Sequence, residues 1–154
     1  MIEIPLQKSN LLTTLPHLGK IYFLSFEVKP SSLGSGSQNI LHFTTGGDNI
    51  RIPAVFFVNG ILTIFSEVNG NRNYGYKCTK KYPANKWINI QIYQELIGDK
   101  YTFKIKVDGK TVHEVENKIP KDFYNVDIYV SDPWNINCKG LIRNLHITEE
   151  QIGK

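Results

Sequence analysis

Residues 87–115, WINIQIYQELIGDKYTFKIKVDGKTVHEV, decide the fold class. Apolar and polar side chains alternate through Trp87–Gln94 and again through Tyr101–Val107. This period of two is typical of β-strands that have one buried face and one solvated face. Asp108-Gly109 then precedes a further run, Thr111–Val115, and Asp-Gly is a preferred dipeptide of tight type I′ turns. The segment therefore predicts antiparallel strands, the last two of which form a hairpin.

The same alternation recurs through most of the chain. It predicts further strands over Ile21–Val28, Asn39–Thr44, Pro53–Val58, Ile61–Val68, Tyr74–Cys78, Val126–Val130 and Gly140–Ile147. Asn59-Gly60 predicts a second tight hairpin, and Asn69-Gly70 predicts another turn. No segment has a helical stripe; Leu11–Leu18 has room for one helical turn, which Pro16 interrupts. About ten closely spaced strands predict an all-β sandwich or a closed barrel.

Composition limits the classes of protein and of partner. With 154 residues, 41% of them hydrophobic and 21% charged, we expect a single folded domain over residues 1–154. Residues 1–18 would be an N-terminal strand or lead-in, and residues 148–154 a polar tail. No apolar run approaches the roughly 20 residues of a membrane helix, so we expect no membrane insertion. The net charge of +4 is spread along the chain, which predicts a solvated surface and no nucleic-acid partner.

The chain resembles a known family in the order of its motifs. The resemblance rests on Asn85–Ile90, Tyr101–Lys110, Val126–Ser131, Lys139–Leu145 and, more loosely, Leu24–Pro30. These motifs resemble the concanavalin A-like jelly roll, especially its laminin G-like modules, of a type seen in cnidarian and other marine-invertebrate extracellular proteins. The resemblance implies an antiparallel β-sandwich and a location outside the cell. It fixes function poorly, because that sandwich carries lectins, adhesion modules and glycosidases.

Three loops carry the side chains that recognise sugars, which are an aromatic face together with amides, carboxylates and arginine. The candidate ligand-binding residues are Asp48, Asn49, Arg51, Asn71, Arg72, Tyr74, Tyr76 and Trp134. If these loops meet at one region of the sandwich, they would form one binding surface. Each also has a structural explanation: the Asn-rich loops suit ordinary turns, and Trp134 could be a packed plug. Trp87 is expected to be a core aromatic residue.

No catalytic constellation is predicted. The glycosidases of this superfamily present carboxylates in a Glu-x-Asp-x-x-Glu pattern on one strand, and this sequence lacks it. We therefore expect no catalytic residues and no pair of carboxylates in a groove. No cofactor is expected either. Calcium recurs in laminin G-like modules, and Asp48 and Asp132 are the acids available to hold it here.

Three functions follow from these observations. The favoured one is a non-enzymatic recognition module that binds a glycan or a protein partner through loop residues. The alternatives are a glycoside-processing enzyme on the same sandwich and a structural module, either oligomeric or in tandem with others. Cys78 and Cys138 are either bridged, closing a loop of about 60 residues, or two buried free thiols.

Overall fold

The protein is a sandwich of two β-sheets. A computed structural model describes residues 2–149, and all regular structure in that range is β. Within it, no helix is long and apolar enough to cross a membrane. The predicted polar tail falls largely on residues 150–154, outside the described part of the chain.

One sheet has six antiparallel strands. In spatial order these are β1 (Glu3–Pro5), β13 (Gly140–Thr148), β3 (Tyr22–Pro30), β8 (Ile88–Ile97), β9 (Lys100–Val107) and β10 (Lys110–Glu116). The first strand of the chain therefore pairs with the last, and β3 lies between β13 and β8.

The other sheet has seven strands. Six are antiparallel, in the order β2 (Leu11–Leu18), β11 (Phe123–Tyr129), β4 (Ser37–Thr44), β5 (Ala54–Val58), β6 (Ile61–Val68) and β7 (Asn71–Lys77). The seventh, β12 (Ile136–Asn137), runs parallel to the start of β4, while β11 pairs with the end of β4. The fold is thus the predicted antiparallel β-sandwich.

The predicted tight turns form because their residues accept positive φ. Asn59 and Gly60 have φ of 49° and 78°, and Asp108 and Gly109 have 50° and 79°. Positive φ at both central positions defines the type I′ turn, whose twist matches that of the flanking strands. Asn69-Gly70 repeats this pattern between β6 and β7. The predicted hairpins β5–β6 and β9–β10 are confirmed.

The core lies between the two sheets. Along β3, buried and half-buried residues alternate without a break, as expected for a strand with one face in the core. The largest buried side chains come from both sheets, among them Phe26, Phe43, Phe57 and Phe103. The core is therefore built from the inner faces of the two sheets.

The sequence analysis was wrong about Trp87. Leu11–Leu18, where the sequence left room for one helical turn interrupted by Pro16, is the edge strand β2, paired with β11 along its length. Trp87 is not in the core; it is half-buried, with the Arg143 guanidinium 3.8 Å and the Lys29 ammonium 5.1 Å from its ring. The strand β12 was not predicted, because two residues are too few to show a period; β1 lies within the N-terminal stretch that was expected to be a strand or lead-in.

The cysteines are free thiols, and both are buried. Of the two alternatives left open by the sequence, the structure therefore has the unbridged one. Burial raises the pKa of the Cys78 thiol to about 11 and that of the Cys138 thiol to about 12. Thiols this reluctant to ionise behave as small apolar core groups.

Candidate functional site

Two of the three predicted loops meet on the outer face of the seven-stranded sheet. Because β4 alternates, Leu41 and Phe43 enter the core while His42 faces outward. The loop that follows β4 and the segment between β11 and β12 both fold over His42. We call the result the Trp134 surface. It consists of His42, Asp48, Asn49, Arg51, Tyr129, Asp132, Trp134 and Asn135.

A buried ion pair forms the base of this surface. His42 Nδ1 lies 2.7 Å from Asp132 Oδ2, and neither side chain is exposed. His42 Nε2 lies 2.9 Å from the Ile50 carbonyl oxygen, which can only accept a hydrogen bond. Both ring nitrogens therefore lie within hydrogen-bond distance of an oxygen atom, and these two contacts fix the imidazole against the Asp132 carboxylate.

Asp132 also organises the segment that carries Trp134. Its Oδ1 accepts hydrogen bonds from the backbone N–H groups of Trp134 and Asn135, at 3.0 and 2.8 Å. Its Oδ2 accepts a further bond from the Asn135 side chain at 2.9 Å. Burial alone would raise the pKa of Asp132, but the bonds from His42 and Asn135 outweigh it and leave that pKa below its usual value. Both oxygens of the carboxylate therefore accept hydrogen bonds that hold this segment in place.

Asn135 and Arg51 join the two loops. Asn135 Nδ2 donates to Asp48 Oδ1 at 3.0 Å, and the Arg51 guanidinium donates to the same oxygen at 3.3 Å. The guanidinium also lies 5.0 and 4.6 Å from the ring centroids of Phe56 and Phe65 on the sheet below. Arg51 therefore anchors its loop to the sheet by cation–π contacts, and little of its guanidinium group is available to a ligand.

Trp134 is the exposed apolar group of this surface. The side chain is 41% exposed although it is held on two sides. Its ring contacts His42 and Tyr129 edge-on, with centroid distances of 5.5 and 5.7 Å. An indole fixed in this way can present apolar area to a ligand with little loss of side-chain entropy.

The third predicted loop lies elsewhere, so the expected single cluster of three loops does not form. Tyr74 and Tyr76 pack between the sheets against His113 of β10; Tyr74 Oη is 2.6 Å from His113 Nε2, and the Tyr76 ring stacks on the imidazole at 4.6 Å. Asn71 accepts a bond from the backbone of its own turn. Arg72 points to Glu67, at 3.8 Å.

The turn at Asn69 is a structural corner. Its backbone N–H donates to Asn117 Oδ1, and its side chain bonds the backbone of Glu116 and Lys118. Asn117 in turn donates to Gln94 in β8. This chain of amides links the two sheets at one end. It is the structural role in a turn that the sequence analysis gave as the alternative to sugar recognition for the Asn-rich loops.

The Trp134 surface contains a group of side chains of the types that ligate metals. His42, Asp48 and Asp132 have polar atoms within 4.8 Å of one another. Both ring nitrogens of His42 already lie within hydrogen-bond distance of oxygen atoms of the protein. The oxygens of Asp132 are also taken. The arrangement therefore gives no support to calcium at Asp48 and Asp132.

Two pairs of carboxylates approach one another, whereas the sequence analysis predicted no such pair in a groove. Asp48 and Asp132 meet in the buried group just described. On the other sheet, Glu95 and Glu114 both contact the Lys104 ammonium, at 2.8 and 3.0 Å. In each case a cation or amide fills the gap between the two acids. In both pairs the acids are therefore already engaged by groups of the protein itself.

The predicted ligand-binding residues did not include His42, Tyr129 or Asn135. His42 and Asp132 are separated by 90 residues, and only the pairing of β4 with β11 brings them together. A local signal did exist for Asn135, because an aspartate three residues earlier is the pattern of an Asx turn that bonds the following backbone.

Sequence comparisons do not place the chain in a family, whereas comparisons of structure show its fold. No family model matches the chain, and no curated protein matches it in sequence. A heptameric SAP-like pentraxin from Limulus polyphemus superposes with a TM-score of 0.64 at 13% identity, over 93% of this chain and 70% of that one.

Two further solved structures are similar. The binding domain of botulinum neurotoxin serotype D has a TM-score of 0.67 at 16% identity, over 98% of this chain and 40% of the toxin domain. Domain 4 of AbnA, a GH43 extracellular arabinanase from Geobacillus stearothermophilus solved with arabinotriose, has a TM-score of 0.55 at 20% identity, over 88% and 65%. The chain thus spans less than half of the toxin domain. At these identities the similarity concerns the fold alone: the chain is an antiparallel β-sandwich of the jelly-roll type.

Proposed function

We propose that this chain is a non-enzymatic module that binds a glycan at the Trp134 surface. The observation that carries the proposal is the half-exposed Trp134 indole, held by a buried network that links two loops. The apolar face of a sugar ring packs on such an aromatic group, and nearby polar side chains bond its hydroxyl groups. Asn49 is exposed in the same loop as Asp48, whose carboxylate is 34% exposed.

The similar structures support a glycan over a protein partner. One of them is a structure of botulinum neurotoxin type C, whose cell entry depends on interaction with two ganglioside molecules. The arabinanase domain was solved with arabinotriose. Proteins with this fold therefore engage saccharides in different settings. We extend that class of ligand to this chain, and with it a location outside the cell.

The acids of this surface favour binding over catalysis. General acid catalysis requires a carboxyl group with a raised pKa that can reach the substrate. Asp132 has the opposite properties, since its pKa is lowered and it is fully buried. Asp48 shares its Oδ1 with Asn135 and Arg51. These groups shape and stiffen the surface.

The test is Trp134→Ala, compared with Tyr124→Ala. Tyr124 is a matched control, because it is an exposed aromatic residue of the same sheet that stacks on His17, away from the Trp134 surface. A glycan array identifies the ligand, and calorimetry then compares the variants. Loss of a central aromatic anchor should cost about 2 kcal/mol or more of binding free energy. The control should bind as the parent protein does.

The same variants separate binding from packing. Since Trp134 is 41% exposed, its removal should lower the unfolding free energy by less than the 3–5 kcal/mol typical of a buried tryptophan. Unchanged glycan affinity together with a collapsed melting temperature would show that Trp134 is only a plug. An array without any bound glycan would also contradict the proposal.

A further inference from the structure

An open groove of about 510 Å³ lies on the outer face of the six-stranded sheet, on the opposite side of the sandwich from the Trp134 surface. It crosses β13, β3, β8 and β9. We call it the sheet groove. The residues that carry the argument are Phe23, Ser25, Gln91, Tyr93, Lys106 and His146.

Four of these residues form a polar row across the sheet. Register places His146 opposite Ser25, Ser25 opposite Gln91, and Gln91 opposite Lys106. Neighbouring strands are 4.7–4.9 Å apart, so the row is about 14 Å long. It presents an imidazole, a hydroxyl, an amide and an ammonium group in sequence. Among residues 2–149, no hydrogen-bond partner engages the side chains of Ser25, Gln91 or His146.

An apolar wall runs beside the polar row. Phe23 lies opposite Tyr93 in the next row, and their rings stack with centroids 5.0 Å apart and planes inclined by 17°. Lys106 Nζ lies 5.8 Å from the centroid of the Tyr93 ring. The stack is thereby fixed in place. An apolar wall next to unengaged donors and acceptors suits a ligand that has both C–H and hydroxyl faces.

The charges around the groove balance. Lys104 lines it and is bound by Glu95 and Glu114, at 2.8 and 3.0 Å. Together with Lys106, this makes two ammonium groups against two carboxylates. Because these charges balance, the surface does not attract an ion of either sign. Its directed hydrogen bonds can still discriminate between uncharged ligands. The groove chemistry therefore favours an uncharged, hydroxyl-rich ligand.

We infer that the sheet groove is a second saccharide site, which binds a neutral oligosaccharide independently of the Trp134 surface. The sugar lies along the polar row with its C–H face against the wall formed by Phe23 and Tyr93. Gln91, at the centre of the row, bonds two hydroxyl groups through its amide oxygen and nitrogen. The length of the row accommodates more than one sugar unit.

The experiment maps binding by amide chemical shifts on the ¹⁵N-labelled full chain. The probes are four neutral tetrasaccharides (cellotetraose, xylotetraose, maltotetraose and arabinotetraose) and acidic tetragalacturonate. We expect at least one neutral probe, at millimolar concentration, to shift the amides of β3, β8 and β9. Gln91→Ala should weaken that binding about tenfold, and Ser25→Ala provides a second, smaller perturbation. Gln7→Ala is the matched control, since Gln7 is exposed outside the groove.

Three outcomes would overturn the inference. Groove amides that respond to none of the neutral probes would exclude the site. A response to tetragalacturonate alone would exclude the neutral class, and equal weakening by Gln91→Ala and Gln7→Ala would exclude the polar row. Because Trp134→Ala leaves the groove intact, groove binding should persist in that variant. Its loss in folded Trp134→Ala protein would refute the independence of the two sites, whereas failure of the Trp134 surface alone leaves groove binding measurable.

Discussion

Replacing Asp132 with alanine should cost about 3–5 kcal/mol of unfolding free energy, the usual effect of removing one member of a buried ion pair. The variant would leave the buried His42 Nδ1 without its hydrogen-bond partner. It would also remove the acceptor of the backbone N–H groups of Trp134 and Asn135. Most of this loss comes from the buried donors that are left without acceptors. The attraction between His42 and Asp132 contributes less, because the free-energy cost of removing both groups from water offsets much of it.

Asp132→Asn separates the charge from the shape. The amide keeps one oxygen for the backbone N–H groups, but it places an NH2 group where His42 and Asn135 both donate. Asn135 Nδ2 cannot accept from that NH2 group, so this bond is lost, while the backbone bonds to the remaining oxygen are kept. We therefore expect a smaller loss than for alanine, of about 1–3 kcal/mol.

Urea unfolding at pH 7, followed by circular dichroism, measures both losses. Asp99→Asn in the exposed turn between β8 and β9 is the control, and it should change the unfolding free energy by no more than about 0.5 kcal/mol. A loss below about 1 kcal/mol for Asp132→Ala would refute the reasoning. It would mean that the His42–Asp132 network contributes nothing beyond what water can replace.

The same network predicts an acid dependence. The pKa of Asp132 is lower in the folded state than in the unfolded state. Its contribution to stability is therefore fully present above the unfolded-state pKa and is lost as the pH falls through the folded-state value. The difference in stability between the parent protein and Asp132→Asn should shrink as the solution is acidified. A difference that stays constant down to strongly acidic pH would contradict this assignment of charge.

Two further predictions concern packing and the thiols. Gly140→Ala should destabilise the fold by at least about 2 kcal/mol more than Gly46→Ala in urea unfolding. The two glycines share φ near +150°, but only at Gly140 would an added Cβ clash with the Lys29 carbonyl oxygen. Equal losses would exclude the clash. Cys78 and Cys138 should resist iodoacetamide in the native state and react fully in denaturant without reductant, as followed by mass; a mass unchanged in denaturant would indicate a bridge.

The hairpins were predictable because their signals are local. Asn59-Gly60 and Asp108-Gly109 accept positive φ wherever they occur, and the alternation on either side then sets the register. β2 could not be predicted in this way. Leu11–Leu18 does not alternate, and its Pro16 is tolerated only because the strand lies at the edge of its sheet. Its identity as a strand depends on pairing with β11, more than 100 residues later.

The candidate site was predicted in its residue types more than in its geometry. Alternation places Tyr74 and Tyr76 on one face, but only the pairing of Tyr76 with buried Ile64 decides that this face is the inner one. Asp48 and Trp134 do meet, through Asn135, because β11 brings the second loop beside β4. The sheet groove has no local signal at all, since its polar row takes one residue from each of four strands.

The pairing of early strands with late ones has a consequence for how the chain folds. β1 has no strand partner until β13 is available, and β2 has none until β11. During synthesis, the hairpins β5–β6 and β9–β10 close as soon as they emerge, because their contacts are local. The two N-terminal strands must wait for more than 100 further residues. The entropy cost of closing loops of this length must be met before the stabilising strand contacts form, so folding should be slow for a domain of this size. We expect its rate-limiting step to be the pairing of the two N-terminal strands with β13 and β11.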